Sequence, residues 1–339
     1  MKPVEQIFTD QVAARRPFVL YADPNEDQLI CLWDDITYNE VDKASFIFRA
    51  FDEKSTLLQV RGDHRIKLER EHISLRDNTI HLDAKMDEGY AQMIQAAGQL
   101  FEHTPCEKIV LSRIKETNTP PNFTATKMAM ALQGQYPLAL TYLLYHPSCG
   151  TWIGSTPETL VNKTIDDWST MALAGTRPLG QQTHWSQKDI AEHEYVCDHI
   201  DKRLAEMGGL FIEKGARETI AAGPVEHLLT SYRFKFSGDL RLLVDLLHPT
   251  PAICGTPKEL SYQKILELES HDRELYSGFI GPVSENKTHL FVNLRCMKLE
   301  GHKASLFVGG GITRDSDPTM EWKETEMKAQ TLMKVMQNL

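Results

Sequence analysis

The sequence predicts an α+β protein, a single domain rich in antiparallel strands with helices outside the sheets. Three observations carry that expectation. From residue 18 to about residue 86 the chain runs in short β-rich pieces: FVLYAD, QLICLW, SFIFRAF, LLQV, RIKLER and TIHLDAKM. Polar turns such as 23–27 separate them, as in an antiparallel meander. Met93, Ala96, Ala97 and Leu100 then fall on a helical period over 88–102, so helix follows strand. No internal repeat or low-complexity linker divides the 339 residues, a length that one large domain can fill.

Further along, the segment 106–113 reads as a strand with Lys108 at its entrance, either an edge charge or a buried amine whose pKa would fall toward that of a usable base. A helix is expected at about 125–133 and a strand at 138–145. Glu158 follows a Gly-Ser-Thr-Pro turn, where it either flanks the turn or carries chemistry. The strand MALAGTRP ends in Ala174, Gly175, Thr176 and Arg177. A helix over 187–206 carries Asp189 and Glu192 on one face. His227 lies in the next strand and, taken alone, reads as a satisfied structural residue. A helix at 240–247 leads into a proline-rich loop, 248–258, that contains Ala252. Tyr276 precedes the strand FIGPV, and LFVNLRCMKL reads as one strand with Arg295 inside it, which calls for a carboxylate or phosphate partner. The stretch 306–328 reads as a buried strand, a glycine turn at 309–311 and a helix capped by Asp315 or Asp317 with Pro318 in its first turn. On that helix Glu321, Glu324 and Lys328 share one face, which suits either a solvated face of charge pairs or a site holding a hard cation beside an anion.

Composition narrows the function. With 41% hydrophobic and 25% charged residues the chain has a globular make-up, and its net charge of −10 argues against nucleic acid or an anionic membrane as the main partner. There is no signal-like start and no uninterrupted apolar run of about 18 residues, so a cytoplasmic protein is expected. Six cysteines without a CxxC pair suit reduced, mostly buried thiols, and the sequons at Asn122, Asn162 and Asn286 then carry no meaning.

In order, KIVLSR, GSTPE, LAGTRP, KDIAEHE, GPVEHL, LHPTPAICGTPK, ELYSGFIG, VNLRCM, GGGI and EWKETEMK make the chain resemble the chorismate-utilising enzymes, most closely the isochorismate synthases. The resemblance runs from about residue 102 to the C-terminus. It implies one chorismate-binding domain over 1–339, with a variable β-rich part at 1–90 and the family-matching part at 91–339. The implied fold is two large, layered antiparallel sheets flanked by helices, as in anthranilate synthase component I. It further implies Mg²⁺ as cofactor, with Glu192 and Glu324 as ligands and Glu321 and Asp189 as companions acting through water. Lys108 and Glu158 match the family's base and acid. Thr176, His227, Ala252, Tyr276, Arg295, Gly311 and Lys328 match substrate-binding positions, Arg295 and Tyr276 holding the enolpyruvyl carboxylate. The implied reaction is attack of water on C2 of chorismate with loss of the C4 hydroxyl.

Departures from the family's other patterns favour water as the nucleophile. Ala174 stands where aminodeoxychorismate synthases of the covalent type have a lysine, and Ala252 stands where ammonia-using anthranilate synthases keep threonine. No glutamine amidotransferase subunit is therefore expected, and a monomer or weak dimer is. HPTPAICG favours isochorismate synthase over salicylate synthase, which would go on to eliminate pyruvate. A non-catalytic anion-binding relative would be expected to lack one of Lys108, Glu158, Glu192 or Glu324. Menaquinone and siderophore pathways share the same first product.

Overall fold

The structure, a computed structural model, describes residues 2–339 apart from 38–44, 72, 76–84, 165–166, 181–183, 208–209, 223–224 and 286. In chain order its elements are α1 (Val4–Ala14), β1 (Phe18–Ala22), β2 (Gln28–Trp33), β3 (Phe46–Arg49), β4 (Leu58–Val60), β5 (His64–Glu69), α2 (Glu88–His103), β6 (Lys108–Asn118), α3 (Ala125–Gln135), β7 (Leu140–His146), β8 (Gly150–Thr156), β9 (Thr159–Lys163), β10 (Trp168–Pro178), α4 (Gln187–Glu206), β11 (Leu210–Lys214), β12 (Glu218–Ala222), β13 (Val225–Lys235), α5 (Leu240–Leu247), β14 (Gly255–Thr256), α6 (Lys258–Leu268), β15 (Phe279–Pro282), β16 (Thr288–Val292), β17 (Cys296–Glu300), β18 (Lys303–Thr313) and α7 (Pro318–Asn338).

Among the described residues the strands make two nine-stranded antiparallel sheets. One runs β14-β6-β18-β17-β8-β7-β1-β2-β5, the other β11-β13-β10-β9-β16-β15-β3-β4 with β12 beside β13. Strand β1 shows why they are layered. Phe18 and Leu20 join a core with α3 and α7, Val19 and Tyr21 join a second core with strands of the other sheet, and all four are buried. That second core, with Phe48, Tyr142, Trp152, Phe291 and Phe307, fills the space between the sheets. Helices α4 and α5 cover the outer face of the second sheet through Val196, Ile200 and Val244. Among the described residues no helix is long and apolar enough to cross a membrane.

Helices over 187–206, 240–247 and 318–338 form as the sequence predicts, and Asp317, not Asp315, caps α7 by accepting from Met320 N at 2.9 Å. Several expectations need correction. The first strands are not one meander: β1, β2 and β5 lie in the first sheet while β3 and β4 lie in the second, where β3 pairs with β15. Local alternation marks a strand but says nothing of a partner more than 200 residues away. The segment LFVNLRCMKL is two strands, β16 and β17, in different sheets, with a break at Asn293–Arg295 and Arg295 at φ 47°. Gly309, Gly310 and Gly311 are not a turn; they lie inside β18, paired with Ser112, Leu111 and Val110. Helix α1 had no counterpart in the sequence reading. The piece TIHLDAKM lies largely outside the described residues, as do Gly223 and Pro224 of GPVEHL and the sequon residue Asn286. The six cysteines are free, and five of them are buried.

Candidate active site

Two of the residues singled out stand where the chain passes between the sheets. Glu158 lies between β8 of the first sheet and β9 of the second, and Arg295 lies between β16 of the second and β17 of the first. The two crossings brace each other: Ser155 N donates to Arg295 O at 3.1 Å and Val292 N donates to Glu158 O at 2.9 Å. Glu158 is fully enclosed, and burial pushes its carboxyl up to about 8 although Lys108, Lys328 and Arg295 pull the other way. A carboxyl placed so is protonated at neutral pH and can give its proton away.

Arg295 is buried, and burial lowers its pKa. One guanidinium nitrogen, Nη2, lies 3.2 Å from His227 Nε2, while Nη1 has no hydrogen-bond partner among the described residues. The tautomer of His227 follows from its neighbours. Its Nδ1 lies 2.7 Å from the carbonyl of Gly175, which can only accept, so Nδ1 carries the proton and Nε2 accepts from Arg295. Burial and then Arg295 push the imidazole down to about 3, so it stays neutral. Thr176 Oγ1 completes the cluster 3.4 Å from Nδ1. His227 is thus more than a satisfied core residue: it orients a guanidinium whose free nitrogen is available to an anion. Tyr276, held up at about 12 by burial, stacks on Phe307 with its hydroxyl toward Gly309.

The glycine strand lets acids reach the backbone. β17 pairs with β18 only as far as Phe307, so among the described residues one edge of 308–311 has no strand partner there. A Cβ on Gly311 would meet Glu192 Oε1 at 2.3 Å and Lys108 Cε at 3.0 Å. On the other face, a Cβ on Gly310 would lie 3.4 Å from Glu321 Oε2 and 3.7 Å from Glu324 Oε1. Each acid has a lysine: Lys108 Nζ is 2.9 Å from Glu192, Lys328 Nζ is 2.7 Å from Glu324, and Lys188 pairs with Glu321. Lys328 also donates to Gly309 O at 2.9 Å. Lys108 is no edge charge; it is completely buried. Burial raises the Glu192 carboxyl, but Lys108, Lys188 and Lys328 outweigh it and hold the group below its usual range. Glu321 and Asp189 are both raised, first by burial and then by neighbouring carboxylates.

One cavity collects most of the predicted residues: Glu158, Thr176, Glu192, His227, Ala252, Tyr276, Arg295, Gly311 and Lys328 all line it. Lys108 does not; it lies behind Gly311 and reaches the cavity through Glu192. Asp189, Glu321 and Glu324 line an adjoining cleft that shares Thr176 with the cavity. The carboxylate oxygens suit a hard cation, and Glu321 Oε2, buried without a hydrogen-bond partner among the described residues, is an oxygen awaiting one. Among the described residues no three potential ligands stand close enough to form a finished metal cage, and lysines pair with the acids. Sequence reasoning gave no role to Lys188, Gly175 or Arg113. Arg113 sits 3.8 Å over the Trp322 ring and binds Thr325 and Glu326 at 3.0 and 2.5 Å, fixing the helix that carries Glu321 and Glu324. Its only sequence signal was its place at the end of KIVLSR.

A family described as chorismate binding enzyme matches residues 26–337. The chain belongs to that family. As a chorismate-binding enzyme it is 31% identical over 259 residues to isochorismate synthase EntC of Escherichia coli (strain K12), a match covering 73% of this chain and 66% of EntC. The vibriobactin-specific isochorismate synthase of Vibrio cholerae is 29% identical over 261 residues, covering 73% of this chain and 66% of that protein. The matches thus span just under two thirds of these relatives. The structure of the 2,3-dihydroxybenzoate-specific isochorismate synthase DhbC from Bacillus anthracis superposes with a TM-score of 0.79 at 22% identity, covering 99% of this chain and 100% of that one. Anthranilate synthase component I from Streptococcus pneumoniae gives a TM-score of 0.66 at 17% identity over 93% and 89% of the two chains. The two-sheet architecture is therefore the one that the sequence led us to expect.

Proposed function

We propose that this chorismate-binding enzyme is a Mg²⁺-dependent isochorismate synthase. Water adds at C2 of chorismate, the ring double bond shifts, and the C4 hydroxyl leaves. The observation that carries the reading is Glu158, a carboxyl held protonated by burial, lining the same cavity as Arg295 and within electrostatic reach of the buried amine of Lys108. The naming of the relatives as isochorismate synthases supports the same reaction.

Arg295, with its unpartnered Nη1, and Tyr276 hold the enolpyruvyl carboxylate, and His227 keeps the guanidinium turned toward it. Glu158 gives its proton to the departing C4 oxygen, because hydroxide alone is a poor leaving group. Lys108 takes the proton of the attacking water. That role requires a neutral amine; Lys108 is completely buried, lies against Gly311 and is paired with Glu192, through which it meets the cavity. Glu192 and Glu324, with Glu321 and Asp189 beside them, would hold Mg²⁺, which when bound supplies charge neutralisation and orientation of the ring carboxylate. Water rather than ammonia as nucleophile leaves no need for an amidotransferase partner.

Incubating the purified protein with chorismate, with Mg²⁺ or with EDTA, and separating the products tests the reading. Isochorismate forming only with the metal is expected. Salicylate with pyruvate would reassign the chain to the salicylate synthases, and unchanged chorismate would end the proposal.

A further inference from the structure

Lys188 stands near the start of α4, one residue before Asp189, and nothing in the reaction above uses it. Its ammonium pairs with Glu321 Oε1, joining the two acid-bearing helices α4 and α7. The Glu321 side chain is only 2% exposed, and its second oxygen has no hydrogen-bond partner among the described residues. Glu192 and Glu324 attract the same ammonium, so Lys188 lies in the combined field of the three glutamates. Lys328 is placed differently, because it also ties the Gly309 carbonyl.

Gathering several carboxylates in a half-buried cleft is costly unless a cation is among them. A lysine suits a temporary post there, since a compact ammonium on a flexible four-carbon stem can swing away. We propose that Lys188 is a built-in counter-cation: it holds the acid cluster together in the metal-free protein and must release Glu321 when a divalent ion takes those oxygens. The proposal rests on the metal reading given above. Lys188 is then a positioning residue that sets how much divalent ion is needed to fill the site, and the ammonium and the ion exclude each other from Glu321.

The test is Mn²⁺ binding to the substrate-free protein, followed by the electron paramagnetic resonance of the free ion, in wild type, Lys188→Met, Lys188→Arg and Lys323→Gln. Lys323 is an exposed lysine on α7 that lines the same cleft. Removing the competitor is expected to tighten Mn²⁺ binding by at least about fivefold, the lower end of ordinary coupling between two sites. Lys188→Arg, which keeps a cation on Glu321, and Lys323→Gln, which removes an exposed charge from the rim of the same cleft, are expected within about twofold of wild type on the same scale. The melting temperature of Lys188→Met is expected to fall without metal and to recover with it. Unchanged or weaker Mn²⁺ binding in a folded Lys188→Met protein overturns the proposal, as does equal tightening in Lys323→Gln. Lys188→Gln provides the same reading should the methionine variant not fold. A wild type that binds no Mn²⁺ removes the metal reading itself, an outcome separate from a wild type that binds while Lys188→Met matches it.

Discussion

Adding one methyl group at Gly311 probes the site without removing any functional atom. The new Cβ would stand 2.3 Å from Glu192 Oε1 and 3.0 Å from Lys108 Cε. Ordinary contact begins at about 3.4 Å, so the Glu192 carboxylate has to retreat by about 1 Å and Lys108 has to yield as well. Lys108 is at 0% exposure and Glu192 is tied to it by an ion pair, so the two have to shift together. Overpacking of this kind costs about 1–3 kcal/mol of stability, a fall of a few degrees in Tm. The loss in turnover is expected to be larger, roughly 10²-fold, because a displacement of about 1 Å in a catalytic constellation costs that much. The assay is the initial rate of isochorismate formation at saturating Mg²⁺, with thermal unfolding measured alongside. Gly98→Ala is the control: it lies in helix α2 with nothing within 4 Å of a new Cβ, and is expected to be neutral or slightly stabilising. Wild-type turnover in folded Gly311→Ala would refute the claim that Glu192 and Lys108 must sit where this strand leaves room for them.

Two other substitutions test the proton transfers. Lys108→Ala is expected to keep the fold and chorismate binding while losing about 10²–10⁴-fold in turnover, and near-normal turnover would remove the lysine from the mechanism. Glu158→Gln is expected to lose turnover on the same scale, about 10²–10⁴-fold, and to erase an alkaline limb that wild type shows as pH rises through about 8, where its acid is lost. Stability gives an independent sign. The folded carboxyl binds its proton more tightly than the unfolded one, so wild type loses stability from about pH 4.5 up to about 8, and Glu158→Gln is expected to unfold at a higher temperature than wild type above that range. A melting-temperature difference that does not change with pH would contradict this placement of the carboxyl.

Helices α4, α5 and α7 were legible because their signals are local, as at Asp317, which accepts a backbone hydrogen bond from the first turn of α7, whereas α1, whose N-cap Pro3 makes no side-chain cap, was missed. The distribution of strands between two sheets was not legible either, since β3 finds β15 across most of the chain. Arg295 was noticed as a charge among apolar residues, but its left-handed backbone and the break around it were hidden inside a run that reads as one strand. The three glycines were read as a turn because glycine commonly makes turns. Here they are bare strand, required by the acids that approach from both faces. Lys188 went unread for a different reason. A lysine beside an aspartate on a helix looks like surface, and only the approach of α7 gives it Glu321.

The two sheet crossings have a mechanical consequence. Glu158 and Arg295 sit on neighbouring hinges tied by backbone hydrogen bonds, each belonging partly to both sheets. A relative shift of the two sheets would therefore carry Glu158 and Arg295 together. Under the proposed reaction, the spacing between acid and guanidinium that the ring has to match is thereby protected from such a shift.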